Sequence, residues 1–325
     1  MAAIALFGAG RIGAIHAANA AAHPGLTLKY VADPVADAAQ RLASRLGAAV
    51  TSAEAALADP EVAGVIIASS TDTHLDHCLA AAKAGKAIFC EKPIDLDLGR
   101  VRAAAPALAD ARLLLGFNRR FDPNFQALKA QLDVGAVGAL ESLNITSHDP
   151  APPPIAYIKV SGGLFRDMAI HDFDIARWLL GEAPVSVFAA ASALVDPAIG
   201  AAGDVDTAKT LLRTTSGKLC LISNSRRSGY GYDQRIEAFG AGGMARAGNV
   251  TETTLAAWTE AGAAQSPFQN FFLDRYAEAY RLEMAHFAEV LAGAAPKVGY
   301  ADGVAALALA EAAAESVRTG RQVAV

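Results

Sequence analysis

Near the start of the chain, residues 3–13 read AIALFGAGRIG, the clearest indication of a fold in the sequence. It opens with the short apolar run AIALF, and the glycine-rich GAGRIG follows at once. Residues 14–22 are then rich in alanine, which favours helix, and this run ends before Pro24-Gly25. The pattern predicts a strand, a tight glycine turn and a helix in succession.

The glycine spacing GxGxxG gives this turn a chemical meaning. Glycines let the backbone turn sharply and approach a pyrophosphate, and the free N–H groups at a helix N-terminus bind anions. A second apolar run, residues 28–32, ends in an aspartate whose carboxylate can accept hydrogen bonds from ribose hydroxyls. A lone GxGxxG often marks only a glycine turn, but this one lies between a strand and a helix. The residues that we assign to a dinucleotide site are Gly8, Gly10, Arg11, Ile12, Gly13 and Asp33.

Asp33 also bears on which dinucleotide is bound. A carboxylate at this position repels a 2′-phosphate, and no arginine follows it in VADPVADAA to attract one. The sequence therefore predicts NAD in preference to NADP. The alternative is that Asp33 only caps the turn before Pro34.

Strands and helices continue to alternate up to residue 117. The apolar run VAGVIIA, residues 62–68, suits a parallel strand buried on both faces. Further strands are predicted at 87–90 and 113–117, and helices at 73–84 and 96–109. Ligands of such sheets bind at the carboxyl ends of the strands. Polar residues that follow two of these strands are Ser69, Ser70, Glu91 and Lys92.

Composition limits the partners of the chain. With 325 residues it exceeds what one core usually supports, and two domains are expected. Its net charge is -5 without a basic cluster, which disfavours nucleic acid and anionic membrane surfaces as partners and favours a small molecule.

The sequence also bears on location. No apolar run reaches the ~18 residues of a membrane span, and the N-terminus lacks the basic start of a secretory leader. The 3 scattered cysteines suggest neither a disulfide framework nor a metal site, so a cytoplasmic location is expected.

A second stretch, GLFRDMAIHDFD at residues 163–174, concentrates acid–base side chains. If residues 164–180 form one helix, Asp167 and His171 share a face at i and i+4, and Asp174 extends it. Histidine suits proton acceptance at neutral pH, and a neighbouring carboxylate stabilises the imidazolium that forms. The pair could instead be a surface ion pair or two metal ligands, but no third ligand is evident.

Several segments together resemble the Gfo/Idh/MocA oxidoreductases, named for glucose-fructose oxidoreductase and inositol dehydrogenase, over essentially the whole chain. The most specific are EKP and DMxxHDxD, whereas GFNRRFDPNF and YGYDQR resemble those of inositol 2-dehydrogenases in particular. The segments that carry the resemblance are AGRIGxxHA (9–17), TDTH (71–74), AGKAIFCEKPIDL (84–96), GFNRRFDPNF (116–125), SGGLFRDMAIHDFDIARWLLG (161–181) and SNSRRSGYGYDQRIE (223–237).

The resemblance implies an α/β protein with an N-terminal Rossmann domain, residues 1–118, and a C-terminal α+β domain, residues 119–325. The second domain would bind substrate and carry a large, mostly antiparallel sheet through which relatives often form tetramers. In that domain the sequence predicts strands at 183–195, 205–214, 217–225 and 232–240, and helices at 271–292 and 301–319.

The family's catalytic lysine, aspartate and histidine match Lys92, Asp167 and His171. Lys92 would favour deprotonation of the substrate hydroxyl, although it could be an ordinary turn lysine. His74, on the helix predicted at 73–84, would cap or line the nicotinamide region. Ser70 stands where relatives commonly have proline, which would stiffen that loop. The candidates for substrate hydroxyls are Asp174, Asn118, His148, Tyr230 and Tyr280, the last equally compatible with the core.

The function implied is NAD-dependent oxidation of myo-inositol at C2 to the 2-keto compound, without a metal. The same chemistry on scyllo- or chiro-inositol, or on an aldose at C1, remains open. A non-catalytic NAD-binding sensor is disfavoured because it would have no need for a catalytic lysine, aspartate and histidine together.

Overall fold

The computed structural model describes residues 1–325 and divides into two compact units. The first unit comprises Met1–Phe121 and Ala279–Leu307, and the second comprises Asp122–Glu278 and Ala308–Val325. The expected division, 1–118 and 119–325, therefore differs mainly in that a late segment belongs to the first unit. This segment packs on the first sheet: a Cβ on Gly64 would lie 2.7 Å from Leu291 Cδ2 and 3.2 Å from Phe287 Cζ.

The first unit is built on a six-stranded parallel sheet. Its order is β3-β2-β1-β4-β5-β6, so the order reverses between β1 and β4, where open α/β sheets bind ligands. The strands are β1 (Ala2–Phe7), β2 (Leu26–Ala32), β3 (Ala49–Val50), β4 (Val62–Ile67), β5 (Ala87–Cys90) and β6 (Leu113–Leu115). The helices between them are α1 (Arg11–Ala22), α2 (Ala36–Leu46), α3 (Ala53–Ala58), α4 (His74–Lys83), α5 (Leu98–Ala103) and α6 (Ala105–Leu108).

Burial confirms the Rossmann-type fold that the first stretch predicts. Residues from Ile4 to Phe7 are at most 1% exposed, as expected of a strand covered on both faces. The glycine turn follows β1 directly, and α1 begins at Arg11. The residues assigned to the dinucleotide therefore lie at the carboxyl end of the sheet.

The second unit is built on a seven-stranded mixed sheet of order β12-β11-β7-β10-β9-β8-β15. All its neighbours are antiparallel except β7 and β10, so the mostly antiparallel sheet is confirmed. Its strands, with the separate hairpin β13–β14, are β7 (Leu140–His148), β8 (Pro184–Ser192), β9 (Thr207–Thr214), β10 (Leu219–Ser225), β11 (Asp233–Gly240), β12 (Gly243–Ala247), β13 (Ala256–Thr259), β14 (Gly262–Gln265) and β15 (Val323–Ala324). The remaining helices of the chain are α7 (Pro123–Asp133), α8 (Ile155–Ile158), α9 (Gly163–Asp167), α10 (Ile170–Leu180), α11 (Pro197–Ala201), α12 (Phe272–Arg275), α13 (Ala277–Leu291) and α14 (Tyr300–Thr319).

One face of this sheet exposes large apolar side chains. Phe188 of β8 pairs with Leu211 of β9, which pairs in turn with Leu221 of β10. These three side chains are 44%, 39% and 44% exposed, respectively. They form a continuous apolar row across neighbouring strands.

The acid–base stretch does not form the single helix expected over residues 164–180. Helix α9 ends at Asp167, and α10 starts at Ile170 after a break at Met168 and Ala169. Asp167 therefore closes one short helix, and His171 lies in the first turn of the next. The helix expected at 271–292 is likewise divided, into α12 and α13.

None of the helices combines the length and apolar character needed to cross a bilayer. No group of three or more histidine, cysteine, aspartate or glutamate side chains is arranged to hold a metal ion. All three cysteines, Cys78, Cys90 and Cys220, are free and buried.

Candidate active site

The glycine turn after β1 depends on glycine for steric reasons. Gly8 has a φ of 102°, and a Cβ there would lie 2.3 Å from Ala68 O. A Cβ on Gly13 would lie 1.9 Å from Gly8 O, so the backbone could not close the turn. At Gly10 a Cβ would meet nothing within 4 Å. The first and last glycines therefore shape the turn, and the middle one faces open space that a ligand can approach.

The electrostatics of this turn fit a dinucleotide. Gly10 caps α1 without a side-chain hydrogen bond, which leaves N–H groups of the first turn available to a pyrophosphate. Asp33, directly after β2, accepts hydrogen bonds from Ala9 N at 2.6 Å and from Val35 N at 2.7 Å. The carboxylate thus lies against the glycine turn, where it can also meet a ribose. The Val35 contact supports the turn-capping alternative as well, and the two roles are compatible.

His74 connects two loops at the carboxyl edge of the first sheet. Its Nδ1 lies 2.8 Å from Pro93 O, and its Nε2 lies 3.1 Å from Ser69 O. Ser69 Oγ lies 2.7 Å from Thr73 Oγ1 as well. The ring is 2% exposed. His74 therefore holds the loops after β4 and β5 together, and Ser70 lies in the first of them.

Glu91 and Lys92 follow β5, and Glu91 has a partner that the sequence did not reveal. His16 Nε2 of α1 lies 2.7 Å from Glu91 Oε1, and Lys92 N donates to Glu91 Oε2 at 3.2 Å. Burial raises the pKa of Glu91, but the hydrogen bond and charge of His16, with the charge of Lys92, leave it below its usual value. His16 therefore holds the residue next to the candidate catalytic lysine. A separation of 75 residues gives no sequence signal for such a pair.

Two further side chains of α13 lie near this pair. Tyr280 is 7% exposed, and its ring meets the His16 ring edge-on at 5.7 Å between centroids. Glu283 is 0% exposed, and neither of its carboxyl oxygens has a hydrogen-bond partner. Burial, with the charge of Glu91, raises the pKa of Glu283 well above its usual value. Burial therefore favours the protonated form of Glu283 inside the first unit. The position of Tyr280 fits the core alternative.

Asn118 begins the short 3-10 helix Asn118–Phe121 after β6 and is 3% exposed. Arg120, two residues further along, forms an ion pair with Asp302, with 2.8 Å between Nη2 and Oδ1. Asn118 belongs to the first unit. Because it follows β6, it lies at the same carboxyl edge of the sheet as the other candidates of that unit. The remaining candidates lie in the second unit.

Asp167 is held through both of its carboxylate oxygens. Tyr157 Oη donates to Oδ1 at 3.0 Å, and Arg226 Nη1 lies 3.5 Å from Oδ2. The side chain is partly exposed, as is that of His171 in the following helix. An acid and an imidazole on adjoining helical turns can take up and stabilise a proton, which is the chemistry expected of them.

Two other acids of α10 are buried. Asp172 is 0% exposed and accepts a hydrogen bond from Asn224 Nδ2 at 2.7 Å. This contact ties the helix to β10 and makes Asp172 a structural partner. Asp174 is 1% exposed. The two acids therefore lie inside the second unit, whereas His171 keeps access to solvent.

His148 and Tyr230 are linked through Asp233. His148 ends β7 in register with Asp233 of β11, and Tyr230 Oη donates to Asp233 Oδ2 at 2.8 Å. His148 Nε2 also lies 2.9 Å from Ser223 Oγ. Burial lowers the pKa of His148, so the ring is neutral at pH 7 and can hydrogen-bond in both senses. The structure thus gathers His148 and Tyr230 at one end of the second sheet.

Comparisons with known proteins agree with both halves of this description. The family model for the oxidoreductase family with an NAD-binding Rossmann fold matches residues 2–118, and that for the GFO/IDH/MocA C-terminal domain matches residues 125–246. An inositol 2-dehydrogenase of Rhizobium meliloti (strain 1021) is 49% identical over 98% of each chain. The crystal structure of a myo-inositol dehydrogenase from Corynebacterium glutamicum has a TM-score of 0.95 at 45% identity, covering 99% of this chain and 98% of that one.

A more distant solved structure contains both cofactor and substrate. It is the scyllo-inositol dehydrogenase of Lactobacillus casei with bound NAD(H) and scyllo-inositol. Its TM-score is 0.91 at 28% identity, covering 100% of this chain and 99% of that one. The likeness extends through both units of the fold.

Proposed function

Because the chain belongs to the Gfo/Idh/MocA oxidoreductase family and has its NAD-binding Rossmann fold, we propose that it oxidises myo-inositol at C2 to the 2-keto inositol. The observation that carries the proposal is Asp167, held by Tyr157 and Arg226 just ahead of His171. This is an acid–base pair in the second unit, outside the residues that match the NAD-binding Rossmann fold. Such a pair is what a secondary alcohol requires in order to lose its hydroxyl proton.

Bound NAD would supply the hydride acceptor, at C4 of its nicotinamide. The chain's own residues deal with the proton. His171 accepts the hydroxyl proton as general base, and Asp167 stabilises the imidazolium. Lys92, which follows Glu91 at the end of β5, stabilises the developing alkoxide with its ammonium group.

The residues that would hold NAD are those of the glycine turn, Asp33 and the loops joined by His74. The N–H groups at the start of α1 bind the pyrophosphate, and Asp33 binds the ribose hydroxyls and repels a 2′-phosphate. For the polyol, each buried hydroxyl needs a hydrogen-bond partner. The proposed partners are Asp174, Asn118, His148 and Tyr230, whereas Tyr280 packs in the core against His16.

A second candidate function is oxidation of scyllo-inositol by the same residues. It is favoured by the relative with a TM-score of 0.91 whose structure contains that isomer. The two substrates, myo- and scyllo-inositol, differ only in the configuration of C2, and so in the face of the ring from which the hydride leaves.

We also propose a homotetramer and a cytoplasmic location. The apolar row of Phe188, Leu211 and Leu221 would otherwise remain exposed to water, at a cost that burial in a subunit interface removes. Light scattering on the purified protein tests the homotetramer, and a monomer at micromolar concentration would contradict it.

The proposed cytoplasmic location is supported by the three free cysteines, which fit a reducing compartment.

The test of the catalytic proposal is a substrate panel followed through the absorbance of NADH. It contains myo-, scyllo- and chiro-inositol and several aldoses, each with NAD and with NADP. We expect the highest kcat/KM with myo-inositol and NAD. Activity on aldoses with none on any inositol would contradict the proposal, and a preference for scyllo-inositol would favour the second candidate.

A further inference from the structure

The second unit buries an arginine that takes no direct part in the proposed proton transfer. Arg226 follows β10 and is 1% exposed, and it is among the largest fully buried side chains of the chain. Its backbone N–H donates to Asp206 O at 2.8 Å, which fixes the main chain. An arginine side chain carries a positively charged guanidinium. A permanent positive charge is therefore enclosed in this unit, and its burial is costly unless anions compensate it.

Two carboxylates supply that compensation. Arg226 Nη1 lies 3.5 Å from Asp167 Oδ2, and Nη2 lies 3.5 Å from Asp204 Oδ2. Arg226 Nε and Nη2 make no hydrogen bond within the chain. The guanidinium is thus held mainly by electrostatic attraction to two carboxylates. Asp167 has a proposed catalytic role, and Asp204 has none.

Both acids are connected to α9. Asp204 Oδ1 accepts a hydrogen bond from Leu164 N at 3.0 Å, near the start of that helix. Asp167 is the last residue of the same helix. Asp204 therefore anchors the beginning of α9, whereas Arg226 acts on the carboxylate at its end. The two contacts can be separated by mutation.

The other oxygen of Asp167 is already occupied. Tyr157 Oη donates to Oδ1 at 3.0 Å, so Arg226 faces Oδ2 alone. A hydroxyl on one oxygen and a cation beside the other fix the direction of a carboxylate. This matters because Asp167 is the last residue of α9, so its side chain lies where this helix ends and the chain passes into α10.

We propose that Arg226 is a positioning residue for the oxidation and acts through Asp167. It aligns the Asp167 carboxylate, so that this carboxylate can stabilise the imidazolium of His171 when the substrate proton is transferred. The inference rests on the proposed function. It assigns Arg226 no contact with substrate or cofactor.

The test compares Arg226→Met with Arg226→Lys and with Arg227→Met. Arg227 is exposed, so its replacement removes the same charge from the neighbouring position without touching the buried pair. We expect Arg226→Met to lower kcat for myo-inositol on the order of 10- to 100-fold, with KM changed less than about threefold. Arg226→Lys keeps a cation and should recover much of the lost kcat, while Arg227→Met should behave as wild type.

If Arg226 had only a structural role, kcat would fall in proportion to the thermal midpoint in any variant that weakens this region. Asp204→Asn tests for that relation. This variant removes the second carboxylate and weakens the anchor of Leu164, but it leaves Arg226 facing Asp167. We expect Asp204→Asn to lower the thermal midpoint while kcat stays within about threefold of wild type. Equal losses of kcat in Asp204→Asn and Arg226→Met, in proportion to their thermal midpoints, would overturn the proposal.

The remaining outcomes are also decisive. Should Arg226→Met not fold, Arg226→Gln, which also lacks the charge, is compared with Asp204→Asn at matched thermal midpoint: a lower kcat in Arg226→Gln supports the positioning role, and equal kcat values overturn it. Wild-type kcat in Arg226→Met would overturn the inference and leave the proposed function intact. A wild-type protein without activity on any inositol would overturn the proposed function, and this inference with it.

Discussion

The two units of the molecule organise their candidate residues in opposite ways. In the first unit the glycine turn is a local structure, in which a Cβ on Gly13 would collide with Gly8 O at 1.9 Å, only a few residues away in the chain. In the second unit Asp167 depends on Arg226, and Asp172 depends on Asn224, 52 residues further on. The glycine turn is therefore specified by residues that lie close together in the chain, whereas the proposed acid–base site depends on contacts between residues far apart in sequence.

The strongest expected effect concerns the local site. Gly13→Ala should lower the thermal midpoint markedly and weaken NAD binding by more than about 100-fold, because the new Cβ would displace the backbone of the turn. Calorimetric titration with NAD and a thermal melt measure both effects.

Gly10→Ala is the matched control, since its Cβ meets nothing within 4 Å and its φ of -70° suits alanine. We expect this variant to keep the thermal midpoint of the wild type while losing NAD affinity. Equal thermal midpoints for the two variants would break the account of the glycine turn.

A smaller effect is expected from the carboxylate that follows β2. Asp33→Ser removes the group that repels a 2′-phosphate, so the ratio of kcat/KM with NAD to kcat/KM with NADP should fall by about tenfold or more. Steady-state kinetics with both cofactors give the ratio. An unchanged ratio would place cofactor discrimination elsewhere in the first unit.

The smallest effect concerns the buried acid of the first unit. Because the pKa of Glu283 is raised, the folded protein keeps a proton that the unfolded chain releases above its usual pKa of 4.5. Folding stability is therefore lost as pH rises from that value toward the raised pKa, by at most about 1.4 kcal/mol per pH unit. Glu283→Gln removes this dependence.

We expect the thermal midpoint of Glu283→Gln to exceed that of the wild type by a margin that grows with pH and vanishes below about pH 4. The exposed Glu260→Gln serves as control and should show no such trend. A margin that is constant with pH would mean that Glu283 is not held neutral in the folded protein.

The sequence predicts the first unit well because its signals are short-range. The apolar run, the glycine spacing and Asp33 all lie within residues 3–33, and β1, α1 and β2 form where these signals indicate. The pairing of His16 with Glu91 escaped prediction because α1 and the end of β5 meet only in the folded sheet. A lone histidine in an alanine-rich helix carries no sign of its partner.

In the second unit the sequence identified the acid–base stretch but not its shape or its support. The break between α9 and α10 leaves no mark in the spacing of Asp167 and His171, because a continuous helix would also place them one turn apart. Arg226 lay within a segment already singled out, SNSRRSGYGYDQRIE, yet only burial distinguishes it from the exposed Arg227. Long-range burial is what sequence patterns do not encode.

The division of labour between the two units is tested most directly by His171→Ala, with turnover on myo-inositol and calorimetric NAD binding measured on the same preparation. Our expectation is that kcat falls on the order of 100-fold or more, while the dissociation constant for NAD stays within about twofold of wild type. An unchanged kcat, or a loss of NAD affinity as large as the loss of turnover, would contradict it.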